Sequence, residues 1–211
     1  IRHLYYSILD RVFGIAILNL LFDLLVRRLR EEEGKHMNNK TLSLTIAAGS
    51  LIAGFASADY TGLDYEYQVY DGAIAELQGT WTAQIYATFS AETDQLNAVF
   101  GDGDNPLLVT SSGGFYQNPY GGPVSTMINP ALYGAFPSLV YDSWVTIGLT
   151  DQVDNAMGHI GIDWTDFENG GDISNSNGTW FATPADGLRK GNPQGQAGED
   201  LRVLIGQFTM Y

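Results

Sequence analysis

Residues 80–90 read TWTAQIYATFS. Trp81, Ala83, Ile85, Ala87 and Phe89 fall on one side of an extended chain, and Thr80, Thr82, Gln84, Tyr86 and Thr88 on the other. Successive side chains of a strand point to opposite faces, so this period of two predicts a half-buried β-strand. SWVTIGLT (143–150) repeats the pattern, with Val145, Ile147 and Leu149 facing one way. RVLIGQFTMY (202–211) sets Leu204, Gly206, Phe208 and Met210 against Val203, Ile205 and Gln207. YEYQVYDG (65–72), LNAVFG (96–101), LLVTSS (107–112), GHIGIDW (158–164) and GTWFAT (178–183) are shorter strand candidates. Between them lie GDGDNP, SSGGFYQNPYGGP, ENGGDISNSNG and GNPQGQAGED, dominated by residues that suit turns for backbone reasons.

After Ala58 no stretch keeps a helical apolar period for three turns, and NPALYGAF (129–136) is expected to form one short helical turn. Many short strands with turns between them predict an all-β domain of β-sandwich or jelly-roll type. The segment FYQNPYGGPVSTMINPALYGAFPS (115–138) is long for a plain sandwich and rich in aromatics, and long loops of that kind often bind ligands.

The N-terminal part is of another character. MNNKTLSLTIAAGSLIAGFASADY (37–60) has a short start with one positive charge, an uncharged apolar run from Leu42 to Phe55, and the small-x-small site Ala56-Ser57-Ala58. That is the layout of a secretory signal peptide, residues 37–58, cleaved after Ala58. The run is short of the ~20 apolar residues of a membrane span. Residues 1–36 have two readings. REEEGKH, just before Met37, is what a purine-rich ribosome-binding site gives when translated, so the segment reads as an over-extended reading frame. The rival is a helical anchor, since LYYSILDRVFGIAILNLLFDLLVRRLR is apolar and ends in a basic cluster. Asp10, Arg11, Asn19 and Asp23 interrupt that run, and charges inside a span are costly. The chain begins on Ile1 and stops at Tyr211 within a strand pattern, which reads as a fragment at both ends.

Residues 59–211 then form the secreted domain, 153 residues that suffice for one core. Only Arg189, Lys190 and Arg202 are basic there, against nineteen acidic residues, a balance of −16. Such a surface repels phosphate backbones, which excludes nucleic acid as a partner, and it suits salty water or divalent cations. There is no cysteine, which excludes thiolate metal sites and cysteine nucleophiles; an exported domain with an adequate core does not need disulfides. His159 is the only histidine after Ala58, so a zinc site built on several histidines is excluded too.

Three constellations bear on chemistry. Asp102 and Asp104 in GDGDNP, and Asp163, Asp166, Glu168 and Asp172 in DWTDFENGGD, offer oxygens of the kind calcium takes, although neither loop has EF-hand spacing. Calcium is therefore the one cofactor to consider. Asp163 and Glu168 would serve a glycoside hydrolase only if their loop folded back over a sheet, and the long strands carry no inward acid. His159 lies in a strand candidate, and the G-x-S-x-G elbow of serine hydrolases is missing. Asn177-Gly178-Thr179 matches a glycosylation sequon, a pattern short enough to arise by chance. The plentiful tyrosines and tryptophans include Tyr116, Tyr120, Trp164 and Trp180, which are expected to stack on sugar rings if their faces are open.

In the order WTAQIYATFSAETDQLNAVFG, GGFYQNPYGGP, YDSWVTIGL, GIDWTDFENGG and RVLIGQFT, residues 66–211 resemble a group of exported β-rich proteins of marine and environmental bacteria, planctomycete-like among them. Members often end in a sorting or anchoring tail. The resemblance is one of strands and turns, not of a catalytic signature. It implies export and a β-rich fold and no particular activity. The expectation is a secreted or cell-surface module, binding or structural and without catalysis, with a polysaccharide or a surface protein as partner. Membrane contact is expected only through the signal peptide or an anchor beyond Tyr211. The alternative is a jelly-roll carbohydrate-active enzyme.

Overall fold

In the structure, a computed structural model, TWTAQIYATFS is the second strand of an antiparallel four-stranded sheet. The structure describes residues 44–47, 60–183, 188–189 and 192–211. The helical segment expected within residues 1–36 lies outside them, as does the signal peptide apart from a short strand, β1 (Leu44–Ala47). The described residues from Thr45 onward belong to one compact unit.

The other strands are β2 (Tyr60–Val69), β3 (Trp81–Phe89), β4 (Ala98–Gly101), β5 (Leu107–Ser111), β6 (Trp144–Val145), β7 (Gly158–Ile160), β8 (Ile173–Asn175), β9 (Gly178–Phe181), β10 (Leu188–Arg189), β11 (Asn192–Pro193) and β12 (Arg202–Met210). They pair as β2-β3-β12-β6, β4-β9-β7, β1-β5-β8 and β10-β11. Every register given for these pairs is antiparallel. Among the described residues the helical pieces are short, five residues at most. One is α1 (Thr165–Glu168), and another is the 3-10 turn Pro130–Leu132 in the stretch expected to make one. The domain is mostly β, as its alternation predicts.

Three details depart from the simple pattern. SWVTIGLT does not stay extended: β6 ends at Val145. Gly148 takes φ +77°, and the Thr146 hydroxyl donates to the Leu149 carbonyl, so the chain curls where alternation alone predicts a strand. β12 keeps its full length, but its faces are reassigned. A bulge between Leu204 and Gly206 puts Val203 opposite Ala87, on the same face as Gly206, Phe208 and Met210, while Leu204 sits opposite Tyr86. The extra residue turns the strand by one side chain, so Phe208 and Met210 still meet the Ala83 and Trp81 side of β3.

The third departure concerns burial. β3 is not half-buried: Thr82 is 6% exposed and Tyr86 9%, on the face expected to be wet. The loop from 116 to 144 covers that face. Tyr86, Leu204, Trp144, Ile128 and Leu139 form a core there, joined by Leu132, Tyr133 and Phe136 from the aromatic loop. On the opposite face Phe208 meets Phe115 and Phe167, with ring centroids 5.7 and 6.2 Å away. The sheet is thus packed from both sides. The polar groups on the covered face are satisfied in pairs. Thr82 Oγ1 and Thr209 Oγ1 lie 2.7 Å apart. The Tyr86 hydroxyl donates to Gln84 Oε1, Gln84 Nε2 donates to Gln207 Oε1, and Gln207 Nε2 donates to the carbonyls of Val140 and Asp142. A buried polar group without a partner costs about 1–3 kcal/mol, and these pairings avoid that loss while tying the loop to the sheet.

Candidate functional site

Among the described residues β2 is the outermost strand of its sheet, and it runs ten residues, YTGLDYEYQV. Its register places Leu63, Tyr65, Tyr67 and Val69 opposite Ala87, Ile85, Ala83 and Trp81, so these four side chains share one face. A strand at the centre of the sheet has its apolar face covered, but here the cover stops short. Tyr65 is 40% and Tyr67 39% exposed, and Val69 more so. The two tyrosine rings stand 6.4 Å apart at 34°, and Trp81 meets Tyr67 edge-on, also at 6.4 Å. Tyr65 and Tyr67 make a short, partly exposed aromatic patch along the rim of the sheet, with the half-buried Trp81 behind Tyr67.

The other face of β2 holds Asp64, Glu66 and Gln68, opposite Tyr86, Gln84 and Thr82. Arg202 of β12 reaches across, pairing with Asp64 at 3.3 Å and, closer, with Glu66, while its guanidinium lies 4.1 Å over the Tyr86 ring. Glu66 raises the guanidinium pKa further, first through its hydrogen bond. These are exposed pairs, of a kind worth at most about 1 kcal/mol. Their geometric effect is to tie β12 to β2 on the face opposite the tyrosines. Asp64 also accepts the Tyr65 backbone N–H at 2.8 Å. That bond caps a donor and sets a charge on the strand, both devices that discourage another strand from adding there.

The four aromatics singled out from the sequence have different fates. Tyr116 and Trp180 are buried, and this corrects their assignment as sugar-stacking residues. The Trp180 indole donates to the Thr146 carbonyl at 2.9 Å, and the Tyr116 hydroxyl accepts from Asn118 Nδ2 at 3.0 Å, so both serve the interior. Trp164 is half-buried, its N–H given to His159 Nδ1 and its ring among Phe167 and Trp180. Tyr120 is exposed and stacks on Phe136 at 3.7 Å, which occupies one of its faces. Tyr65 and Tyr67 were visible in YEYQVYDG, but alternation cannot tell an edge strand from a central one.

Of the acids named as metal ligands, Asp102 and Asp163 serve their own turns. Asp102 Oδ1 accepts the N–H groups of Asp104 and Asn105. Asp163 Oδ1 accepts both the hydroxyl and the N–H of Thr165, which holds its carboxyl below the usual range. Asp172 accepts the Ser111 N–H. Asp104 and Asp166 are exposed, and desolvation raises the Glu168 carboxyl. Among the described residues no three histidine, aspartate or glutamate side chains converge to hold a metal ion.

Asp142 stands apart from these and was not picked out by its pattern. It is fully buried, and its two oxygens accept the N–H groups of Asn118 at 2.7 Å and Gly122 at 3.0 Å. A side chain at Gly121 would run into Oδ2, so a glycine is required there. Burial pushes the carboxyl up to about 7, against the pull of the Asn118, Gly122 and Ser143 N–H groups. A raised carboxyl is a hallmark of a general acid. Here, however, both oxygens are spent on the backbone, and the group closes the turn of the covering loop. No protein-family model, curated protein or solved structure matches the chain.

Proposed function

We propose that this chain is an extracellular binding module without catalytic machinery, built on a jelly-roll-like β-sandwich, whose β2 rim holds a polysaccharide. The supporting observation is the pair of solvent-open rings, Tyr65 and Tyr67, side by side on one face of an edge strand. The C–H face of a pyranose is apolar and packs on an aromatic ring, while the hydroxyls around its rim need hydrogen-bond partners. The tyrosine hydroxyls are the polar groups of β2 on that face, since Asp64, Glu66 and Gln68 point to the other. The signal-peptide layout of residues 37–58 accords with a glycan-rich exterior. Calcium has no assigned part in this reading, so a chelator is expected to leave binding unchanged.

The experiment is titration of the full chain with neutral hexasaccharides of the gluco, xylo and manno series. At least one series binds, and Tyr65→Ala and Tyr67→Ala each weaken it roughly tenfold, the ~1.4 kcal/mol of one lost aromatic contact. Binding unaffected by both substitutions removes the reading. The rival, a jelly-roll carbohydrate-active enzyme, draws on the raised carboxyls of Asp142 and Glu168. It requires Asp142 to leave its backbone partners, and release of reducing ends from any of these sugars would establish it.

A further inference from the structure

The ladder between β2 and β3 decides which backbone groups of β2 are left over. The Tyr70 N–H donates to the Thr80 carbonyl at 3.0 Å, and the register runs unbroken from Val69 opposite Trp81 back to Gly62 opposite Thr88. In an antiparallel ladder, residues that exchange bonds with a neighbour alternate with residues that turn away from it. Gln68, Glu66 and Asp64 therefore bond β3, while the N–H and C=O groups of Leu63, Tyr65, Tyr67 and Val69 point to the outer side of the sheet, where no described strand lies. Such a row is a template for a further strand. It is interrupted near its middle, where Asp64 Oδ1 accepts the Tyr65 N–H at 2.8 Å. The other oxygen of Asp64 pairs with Arg202, which also holds Glu66. Two acids against one arginine leave this face of β2 net negative, and the Asp64 and Glu66 side chains are still 51% and 56% exposed.

We propose that the β2 edge takes an extended polypeptide segment in which basic and apolar residues alternate, with Asp64 as its gate. A strand added here places alternate side chains on the two faces of the sheet. Its apolar set lies beside Tyr65, Tyr67 and Val69, and its basic set beside Asp64 and Glu66. A cation at Asp64 competes with the Tyr65 N–H for the carboxylate, releases that donor and completes the row. An acidic or uncharged segment offers the carboxylate nothing in exchange and meets a blocked edge. A second copy of β2 is refused on the same ground, because its own Asp64 and Glu66 bring like charges to that face. The −16 balance of residues 59–211 draws basic chains in from further away. Main-chain bonds supply the affinity and the alternating side chains the selectivity. The edge is used here and not the ring faces, so the inference is independent of the polysaccharide reading.

The test titrates the full chain with end-capped synthetic peptides of β2's own length: lysine alternating with valine, glutamate with valine, and threonine with valine. The lysine peptide is expected to bind roughly tenfold tighter than either of the others. Two further lysine peptides carry N-methyl groups on alternate amides, one on the odd set and one on the even. In an added strand one set faces β2 and the other faces away, so one of these peptides should lose binding and the other keep it. Asp64→Ala removes the cap on Tyr65. It should take the threonine peptide several-fold more tightly than the wild type does, with the circular-dichroism spectrum unchanged as a check on folding. If no peptide binds, or if the two methylated peptides behave alike, strand addition is overturned. If the glutamate peptide binds as tightly as the lysine peptide, or if Asp64→Ala still excludes the threonine peptide, the gate is overturned.

Discussion

The centre and the rim of the β2-β3-β12-β6 sheet invert what their side chains suggest. At the centre Thr82, Thr209 and Gln207 are buried. At the rim Tyr65 and Tyr67 face water. Residue type alone assigns them the other way round. What decides is position: a central strand is covered on both faces, and its polar groups survive there by bonding one another. An edge strand keeps its aromatics in view because the cover ends before reaching it. A buried threonine is therefore a statement about packing, and an exposed tyrosine pair a statement about where the cover ends.

The sharpest way to break this contrast is to release the cover. Asp142→Ala removes the acceptor of the Asn118 and Gly122 N–H groups, each of which is then orphaned. A loss of about 3 kcal/mol in denaturant unfolding is expected, the scale of buried donors left without a partner. A loss below about 0.5 kcal/mol would show that the loop is held elsewhere.

The buried hydroxyl pair gives the next effect. Thr209→Val alone strands the Thr82 hydroxyl and should destabilise by roughly 1–2 kcal/mol. Thr82→Val combined with Thr209→Val should recover most of that, since two matched apolar groups need no partner. If the two single effects simply add in the double variant, the hydroxyls do not bond each other.

A pH profile sharpens the comparison further. The native Asp142 carboxyl is raised to about 7, whereas an unfolded aspartate titrates near ~3.9. Between those values the native state binds more protons than the unfolded one, so this group's contribution is fully present below about pH 4 and is lost as pH rises through 7. The difference in stability between the wild type and Asp142→Asn, measured across this window, should therefore shrink or reverse as pH rises. A constant difference would mean that Asp142 is ionised throughout. At the rim the smallest stability effects are expected: Tyr65→Ala and Tyr67→Ala should each change unfolding by less than ~1 kcal/mol, since much of each ring is already wet.

The strands were legible wherever their own alternation set their limits. TWTAQIYATFS, LNAVFG, LLVTSS and GTWFAT all contain strands, because their β-branched and aromatic residues alternate over the length that pairs. SWVTIGLT did not follow, because Gly148 and the Thr146 hydroxyl act locally and alternation does not register them. ISN within ENGGDISNSNG pairs as β8 against β5 although its residues favour turns, so a long-range partner overrides a local preference. The same limit hid the candidate face. Trp180 and Tyr65 look alike as letters, and only the order of strands in the sheets tells which is buried. Asp142 had no pattern around it, since its partners Asn118 and Gly122 are more than nineteen positions away.

The β3–β12 ladder has a consequence in time. Arg202 to Met210 must slot between β3 and β6, more than a hundred positions after Phe89. Such distant pairings are slow to form, and the middle of this sheet cannot close until the ribosome has passed residue 210. Until then the edge of β3 that β12 will occupy has no partner, and this sheet is completed among the last parts of the molecule.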